Sequence, residues 1–323
     1  MSNLLSRYAD ATFWMGRQIE RAEDLARILD VNESFSRDAQ GAQNWQSVLR
    51  LYADEERYLE SHREISANGV LNFYVRDRQN PGSIFSNIRA ARENARQLRP
   101  IASTEMWRHL NVFFGQVREI DQAGLSEQSL NRICSFIKEG CQMHTGIVEG
   151  TFYRDEGWYF YQLGALIERA DQTTRLLDVK YELLLPSVHD VGSALDISQW
   201  GALLRSVAGF HAFRRVHPRG MTAAAVSGFL LLNNRFPRSV AACIYEASRV
   251  LTALRRNYDL AAGEAAARRL SLLEDWMSER TIQPIMETGL HETLDWIQRE
   301  LIAITGGLGE AFFGYPPPEA QAA

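Results

Sequence analysis

Two stretches of this sequence carry the same charged pattern. Residues 16–31 read GRQIERAEDLARILDV and residues 164–179 read GALIERADQTTRLLDV, identical at nine of sixteen positions at an offset of 148. Unrelated segments would share about one, so the chain contains an internal repeat. On a helical wheel with Ile19 at zero, Gly16, Glu20, Glu23, Arg27 and Asp30 fall between about 20° and 100°. Gly164, Glu168, Asp171, Arg175 and Asp178 fall on the matching face. A strip of this kind supports two chemistries. A carboxylate would act as general base while arginines, including Arg21 and Arg169 beside the glutamates, hold an anion. Alternatively Glu20, Glu23, Asp30, Glu168, Asp171 and Asp178 would offer hard oxygen ligands to Mg²⁺ or Mn²⁺. The third reading is architectural: half-buried ion pairs that set how two helices pack. The candidate catalytic set is Glu20, Arg21, Glu23, Arg27, Glu168, Arg169, Asp171 and Arg175. Neighbours in sequence point about 100° apart on a helix, so Glu20 is expected to pair locally with Arg27. Arg21 and Arg169 are expected to reach a third helix. A di-iron centre is not expected, because the Glu-x-x-His motif that accompanies one is missing.

Two further clusters are candidates for substrate binding. Arg89, Arg92, Arg96 and Arg99 share one helix face beside Ile84, Ile88, Ala91, Ala95 and Leu98. Such a row would bind phosphate or carboxylate, dock an acidic helix, or stand solvated. The aligned positions in the second copy are Tyr245, Ser248, Thr252 and Arg255, so the row is not repeated. Arg154, Asp155 and Glu156 lie in a segment dense in charge and aromatics, either a pocket rim or an aromatic-anchored turn. The seven histidines form no metal-ligand spacing, and no Walker loop, GxGxxG, GxSxG or Cys-His signature occurs. Cys134, Cys141 and Cys243 match no metal or disulfide framework and are expected to be reduced and buried.

The elements that position these residues are helices. Of nine prolines three stand together at 316–318, no stretch alternates with period two, and apolar residues return every three or four positions. The class is all-α, with about ten or eleven helices. Helix starts are expected at Asn80-Pro81, Ser103-Thr104-Glu105, Ser126-Glu127-Gln128, Asp196-Ile197-Ser198 and Phe236-Pro237. Further matches between the copies keep their order: Trp45 with Trp200, Leu49-Arg50 with Leu204-Arg205, and Pro81-x-Ser83 with Pro237-x-Ser239. Two repeated halves, 1–150 and 151–315, are therefore expected, followed at 316–323 by a Pro/Ala-rich disordered tail whose lack of periodicity begins at Tyr315. With 46% hydrophobic and 23% charged residues the chain is a folded globular protein, and a formal charge of −5 argues against nucleic acid or anionic lipid as partner. The longest apolar stretch, 221–232, is too short to span a bilayer, and residues 1–8 do not read as a signal peptide. A cytoplasmic protein is expected.

At the paired signatures the chain resembles the alpha-E family, bacterial all-helical proteins named for a glutamate-arginine motif. The residues that carry the resemblance are Phe13-Trp14-Met15-Gly16-Arg17-Gln18-Ile19-Glu20-Arg21-Ala22-Glu23, Asn80-Pro81-Gly82-Ser83-Ile84 with Ala91-Arg92-Glu93-Asn94-Ala95-Arg96, Arg154-Asp155-Glu156-Gly157-Trp158 and Leu163-Gly164 through Ile167-Glu168-Arg169-Ala170-Asp171. The family usually reads Pro-Ser-Ser where this chain has Pro81-Gly82-Ser83. The resemblance implies a setting: alpha-E proteins are typically encoded beside a circularly permuted ATP-grasp protein, often with a transglutaminase-like peptidase. ATP-grasp enzymes activate a carboxylate as an acyl phosphate for attack by an amine. The resemblance thus implies ATP-dependent peptide ligation or modification, with this chain as an accessory partner that docks the amidoligase and presents a peptide substrate. The alternative is a catalytic helical protein acting on an activated peptide through the Glu/Asp/Arg strip. No cofactor is required by the sequence; Mg²⁺ is the one the strip would accommodate.

Overall fold

The computed structural model describes residues 4–38, 43–123, 125, 127–183 and 194–316. In chain order the helices are α1 (Ser6–Asp38), α2 (Gln43–Leu51), α3 (Glu55–Ser61), α4 (Ala67–Val75), α5 (Ile84–Gln97), α6 (Thr104–Ala123), α7 (Glu127–Thr151) and α8 (Glu156–Leu183). There follow α9 (Ala194–Ser206), α10 (Phe210–Val216), α11 (Ala223–Leu232), α12 (Val240–Asn257), α13 (Glu264–Ser278), α14 (Ile282–Thr288) and α15 (Leu290–Leu308), with a π-turn at Gly309–Phe313. Among the described residues the fold is all-helical, with fifteen helices rather than ten or eleven. The excess comes from short helices that the sequence runs together. α3, α10 and α14 have seven residues each. None of the helices among the described residues is long and apolar enough to cross a membrane.

The first five helices and the five from α8 onward repeat each other in local detail. α2 and α9 both end on a left-handed alanine, Ala53 (φ 53°) and Ala208 (φ 56°). In each case the next amide reaches back to a carbonyl five residues earlier, Asp54 to Leu49 at 2.9 Å and Gly209 to Leu204 at 2.7 Å, a Schellman closure of the helix end. Tyr58 stacks on His62 at 4.1 Å and meets Phe73 edge-on, and Phe213 stacks on His217 at 4.8 Å and meets Phe229 edge-on. α5 and α12 start on serine caps: Ser83 Oγ accepts the Ser86 amide and Ser239 Oγ accepts the Ala242 amide, both at 3.1 Å. The helix start therefore lies at Ser83, not at Asn80-Pro81. Asn80 instead turns the chain, its Oδ1 accepting the Gly82 amide at 2.9 Å.

α1 and α8 are the centre of the molecule. Their partners rise together in number, Gly16 on Tyr161 and Ala165, Arg21 on Glu168, Glu20 on Arg169, so the two helices run parallel. The buried apolar side chains fall into two clusters. Each central helix hands one fully buried aromatic across: Phe13 of α1 packs in the cluster of the later helices, Tyr161 of α8 in that of the earlier ones. The crossing is close because Gly16 and Gly164 face it. A Cβ on Gly16 would fall on the carbonyl oxygen of Tyr161, and one on Gly164 on that of Phe13. The two cysteines of α7 and Cys243 of α12 are buried and unbonded. His144 is fully buried, neither ring nitrogen has a hydrogen-bond partner among the described residues, and burial lowers it to about 3. Residues 317–323 lie outside the described residues. Tyr315, where the loss of periodicity begins, is anchored, its hydroxyl accepting Trp14 Nε1–H at 3.0 Å and donating to Asp10 at 2.5 Å.

Candidate functional site

The parallel pairing brings the two Glu-Arg dipeptides into reciprocal contact. Arg21 donates from Nε and Nη2 to Glu168 at 2.6 and 2.8 Å, and Arg169 donates from Nε and Nη2 to Glu20 at 2.8 Å each. Both pairs are two-pronged, the strong geometry for guanidinium and carboxylate. Arg21 and Arg169 therefore reach the opposite signature helix, not a third element. The reason is the parallel register, which sets residue n against residue n plus 148. Nor does Arg27 pair with Glu20. Seven residues on a helix span about 10 Å, and Arg27 takes the nearer Glu23 at 2.6 Å, as Arg175 takes Asp171 at 2.8 Å. All eight residues of the candidate catalytic set are thus ion-paired in one layer, Glu20, Arg21, Glu168 and Arg169 across the α1–α8 crossing and the other four in pairs along their own helices.

Four members of this layer, Arg17, Asp24, Gln172 and Arg238, escape a search for repeated charges, because none of them is repeated and Arg238 also lies outside the signature. Arg238, in the turn before α12, donates to Glu20 at 2.7 Å, Asp24 at 2.6 Å and Glu23 at 2.8 Å. Its counterpart in the first copy is Gly82, which carries no side chain. Arg17, whose counterpart is Ala165, supplies the missing cation from another direction and holds Glu168 at 2.7 Å. Gln172, in the place of Asp24, donates to Glu168 at 2.8 Å and accepts the Tyr52 hydroxyl at 3.0 Å. The signal for Arg238 was the variable position of Pro-x-Ser, legible only once the turn is known to face α1.

The layer is dry. Glu168 is 0% exposed, Glu20 3% and Glu23 3%. Burial would raise the Glu20 carboxyl, but Arg169 and Arg238 outweigh it and hold the group at about 2. Glu168 is likewise held well below the carboxylate range by Arg21 and Arg17 against its burial. Asp24 goes the other way. Burial, with Glu20 and Glu23 adding to it against Arg238, pushes it up to about 7. Asp24 borders a cavity of only about 10 Å³, room for one water at most. An acid raised above its unfolded value of 3.8 costs stability as pH climbs from that value to about 7, and no further above. Asp24→Asn, which imitates the amide at Gln172, should therefore gain stability relative to the parent between pH 5 and pH 8. Urea midpoints at the two pH values measure this, and an equal difference at both would refute the shift.

The outer members of the strip are paired elsewhere. Asp30 accepts Lys138 at 2.7 Å and Asp178 meets His291 at 2.6 Å. Among the described residues no group of three or more carboxylate, histidine or cysteine side chains is arranged to hold a metal ion, since guanidiniums occupy the space between the carboxylates. The network opens to solvent at a cleft of about 260 Å³ on the side of Gly82, walled by Arg21, Tyr52, Asp54, Arg57, Tyr74, Asp171, Gln172 and Arg175. Arg57 pairs there with Asp54 at 2.9 Å and Tyr74 donates to the same carboxylate at 3.1 Å.

The two substrate-binding clusters are not brought to this cleft. On α5, Arg92 lies over Trp107 and Phe114 of α6 and donates to Asn111 at 2.9 Å, and Arg99 also lies over Trp107. Arg96 pairs with Glu93 at 2.8 Å and Arg89 lies over Phe85. The row thus roofs the aromatics between α5 and α6. Arg154 covers Trp158 and meets Glu149 at 3.4 Å; Asp155 accepts the Gly157 amide at 2.9 Å at the start of α8; Glu156 is buried in its first turn. Glu156, the last of the three, stands about 18 Å from Glu168 along the helix axis.

Comparison with curated proteins and with solved structures finds no match. The family model of Alpha-E, described as "a predicted alpha-helical domain with a conserved ER motif", matches residues 4–313 of the 323. The chain's repeated Glu-Arg dipeptides, Glu20-Arg21 and Glu168-Arg169, are exchanged across the α1–α8 crossing, and with the match running over nearly the whole chain this protein belongs to the Alpha-E family.

Proposed function

We propose that this protein is a substrate-presenting partner of an ATP-grasp amidoligase, acting in ATP-dependent peptide ligation or modification in the cytoplasm. The observation that carries a presenting role over a catalytic one is the state of the ER glutamates. Both are enclosed, and each has both oxygens on guanidiniums. A general base works best with a pKa near the operating pH, and a carboxylate held at about 2 is a weak one. The motif acts as a clamp that fixes α1 against α8. The clamp in turn fixes the walls of the cleft beside Gly82, where Arg21, Arg57 and Arg175 stand with Asp54 and Asp171. A wall of both charge signs suits the polar backbone ends and side chains of a peptide. The resemblance of the chain to alpha-E proteins encoded beside ATP-grasp enzymes supplies the partner.

The test is co-expression with the neighbouring ATP-grasp protein, followed by size-exclusion chromatography at micromolar concentration and mass spectrometry of ATP-dependent products. The expected result is one co-eluting complex whose product needs this chain. Glu20→Gln and Glu168→Gln should diminish product only in proportion to the folded fraction. Separate elution of the two proteins would reject the partnership. Full folding of the glutamate variants with abolished turnover would return catalysis to the strip.

A further inference from the structure

The repeat shows what a filled site looks like at one place and leaves the matching place open. In the first copy Arg50 of α2 holds Glu55 of α3, its Nε at 3.2 and 3.3 Å from the two carboxylate oxygens, and Gln46 Nε2 donates to the same carboxylate at 2.7 Å. The counterparts, 155 residues on, are Arg205, Phe210 and Gly201. The arginine is kept. Its carboxylate has become a phenyl ring and its amide neighbour a glycine. Arg205 now lies over the Phe210 ring at 5.4 Å, with Arg214 over the same ring at 5.8 Å. In place of the Gln46–Glu55 pair there is a cavity of about 490 Å³, floored by Phe210, Phe213 and Met221 and rimmed by Arg205, Arg214 and His217. None of the described residues that line it is acidic.

We propose that this cavity binds a carboxylate carried on an apolar or aromatic stem, its oxygens on Arg205 where the oxygens of Glu55 rest on Arg50. The volume is that of a small-ligand pocket. Two guanidiniums with no carboxylate partner among the described residues give charge-assisted bonds to the head, and the aromatic floor gives the stem apolar area to cover. A carboxylate of this kind is offered by a free small acid or by the C-terminal residue of a peptide. The site is separate from the cleft beside Gly82 and does not rest on the proposed partnership.

The probe is 3-phenylpropionate, titrated into the full chain by calorimetry. Saturable binding is expected, about tenfold tighter than that of 3-phenylpropanol, which has the same stem without the charge. Arg205→Gln should weaken it about tenfold as well. Phe210→Glu restores the internal carboxylate of the first copy and should abolish binding while the melting temperature is kept. N-acetyl-Ala-Phe set against its C-terminal amide assigns the carrier: tighter binding of the free acid than of 3-phenylpropionate identifies a peptide C-terminus, weaker binding a free small acid. No saturable binding by the parent protein up to the solubility limit overturns the proposal. So does binding indifferent both to the probe's charge and to Arg205→Gln.

Discussion

Glu20→Gln should lower the stability of this protein by about 3–5 kcal/mol, the range for breaking one partner out of a buried ion pair. The carboxylate answers two guanidiniums at once: Arg169 on both its oxygens and Arg238 on Oε1. Those guanidinium side chains are 20% and 12% exposed, so solvent screens them little. A glutamine keeps one acceptor, points a second donor at a donor, and leaves both cations short of a negative charge. The remaining pair of Arg238 with Glu23 places the loss toward the lower end of the range. Urea unfolding at pH 7 reads it as a fall in midpoint at constant slope. The exposed pair Arg249–Glu246, 61% and 42% exposed, is the control: Arg249→Gln should move stability by less than about 0.5 kcal/mol. The pH dependence has a definite sign. The folded Glu20 titrates near 2 against an unfolded value of 4.5, so its contribution is complete above about 4.5 and is lost as pH falls toward 2. The gap between parent and variant should close over that interval, and a gap constant down to pH 2 would contradict the pairing.

Gly164→Ala should be at least as damaging, about 3 kcal/mol or more, through steric overlap instead of charge. The added methyl would meet the backbone carbonyl of Phe13, and that of Gly16→Ala the carbonyl of Tyr161. Neither neighbour is a side chain that can rotate away. The helices would have to separate, and with them the two-pronged Glu-Arg contacts one to two turns farther along. Gly146 and Gly150 on α7 have open space where a Cβ would stand. Alanine there should stabilise by roughly 0.5–1 kcal/mol, the ordinary helix preference. Opposite signs in thermal unfolding for the two pairs of sites test whether the close crossing, and not helix propensity, governs these glycines.

The helical class and the repeat were legible because both live in local periodicity. A 3.6-residue rhythm and a nine-in-sixteen identity need no knowledge of packing. The helix count was not, because α3 and α10 are set off by left-handed alanines at 53 and 208, and alanine carries no mark of a chain reversal. The charged strip was likewise visible, with Glu20, Glu23, Glu168 and Asp171 on matching faces. Its wiring was not. Whether Arg21 meets Glu168 or a third helix depends on the direction in which α1 and α8 run, and nothing within either helix fixes that direction. Arg17, Asp24, Gln172 and Arg238 became members of the site only through this pairing, and all four are positions where the two copies differ. The row from Arg89 to Arg99 reads in the sequence as an anion site, a dock for an acidic helix or a solvated face; α6 brings Trp107 and Phe114 against it.

The reciprocal contact of the two ER dipeptides is the geometry of an isologous interface, in which the same patch serves both sides of a twofold axis. Two identical chains meeting in this way would carry the same residue in both Pro-x-Ser turns. An arginine would then enter both sides, or a glycine neither. Joining the copies in one chain removes that constraint. Tethering makes the encounter intramolecular, at an effective concentration in the millimolar range for a short flexible linker, so the crossing survives the loss of a guanidinium on one side. One turn was thereby free to keep Arg238 as a brace while the other, at Gly82, opened a cleft. A symmetric dimer can brace or open such a crossing only twice over; the fused pair does each once.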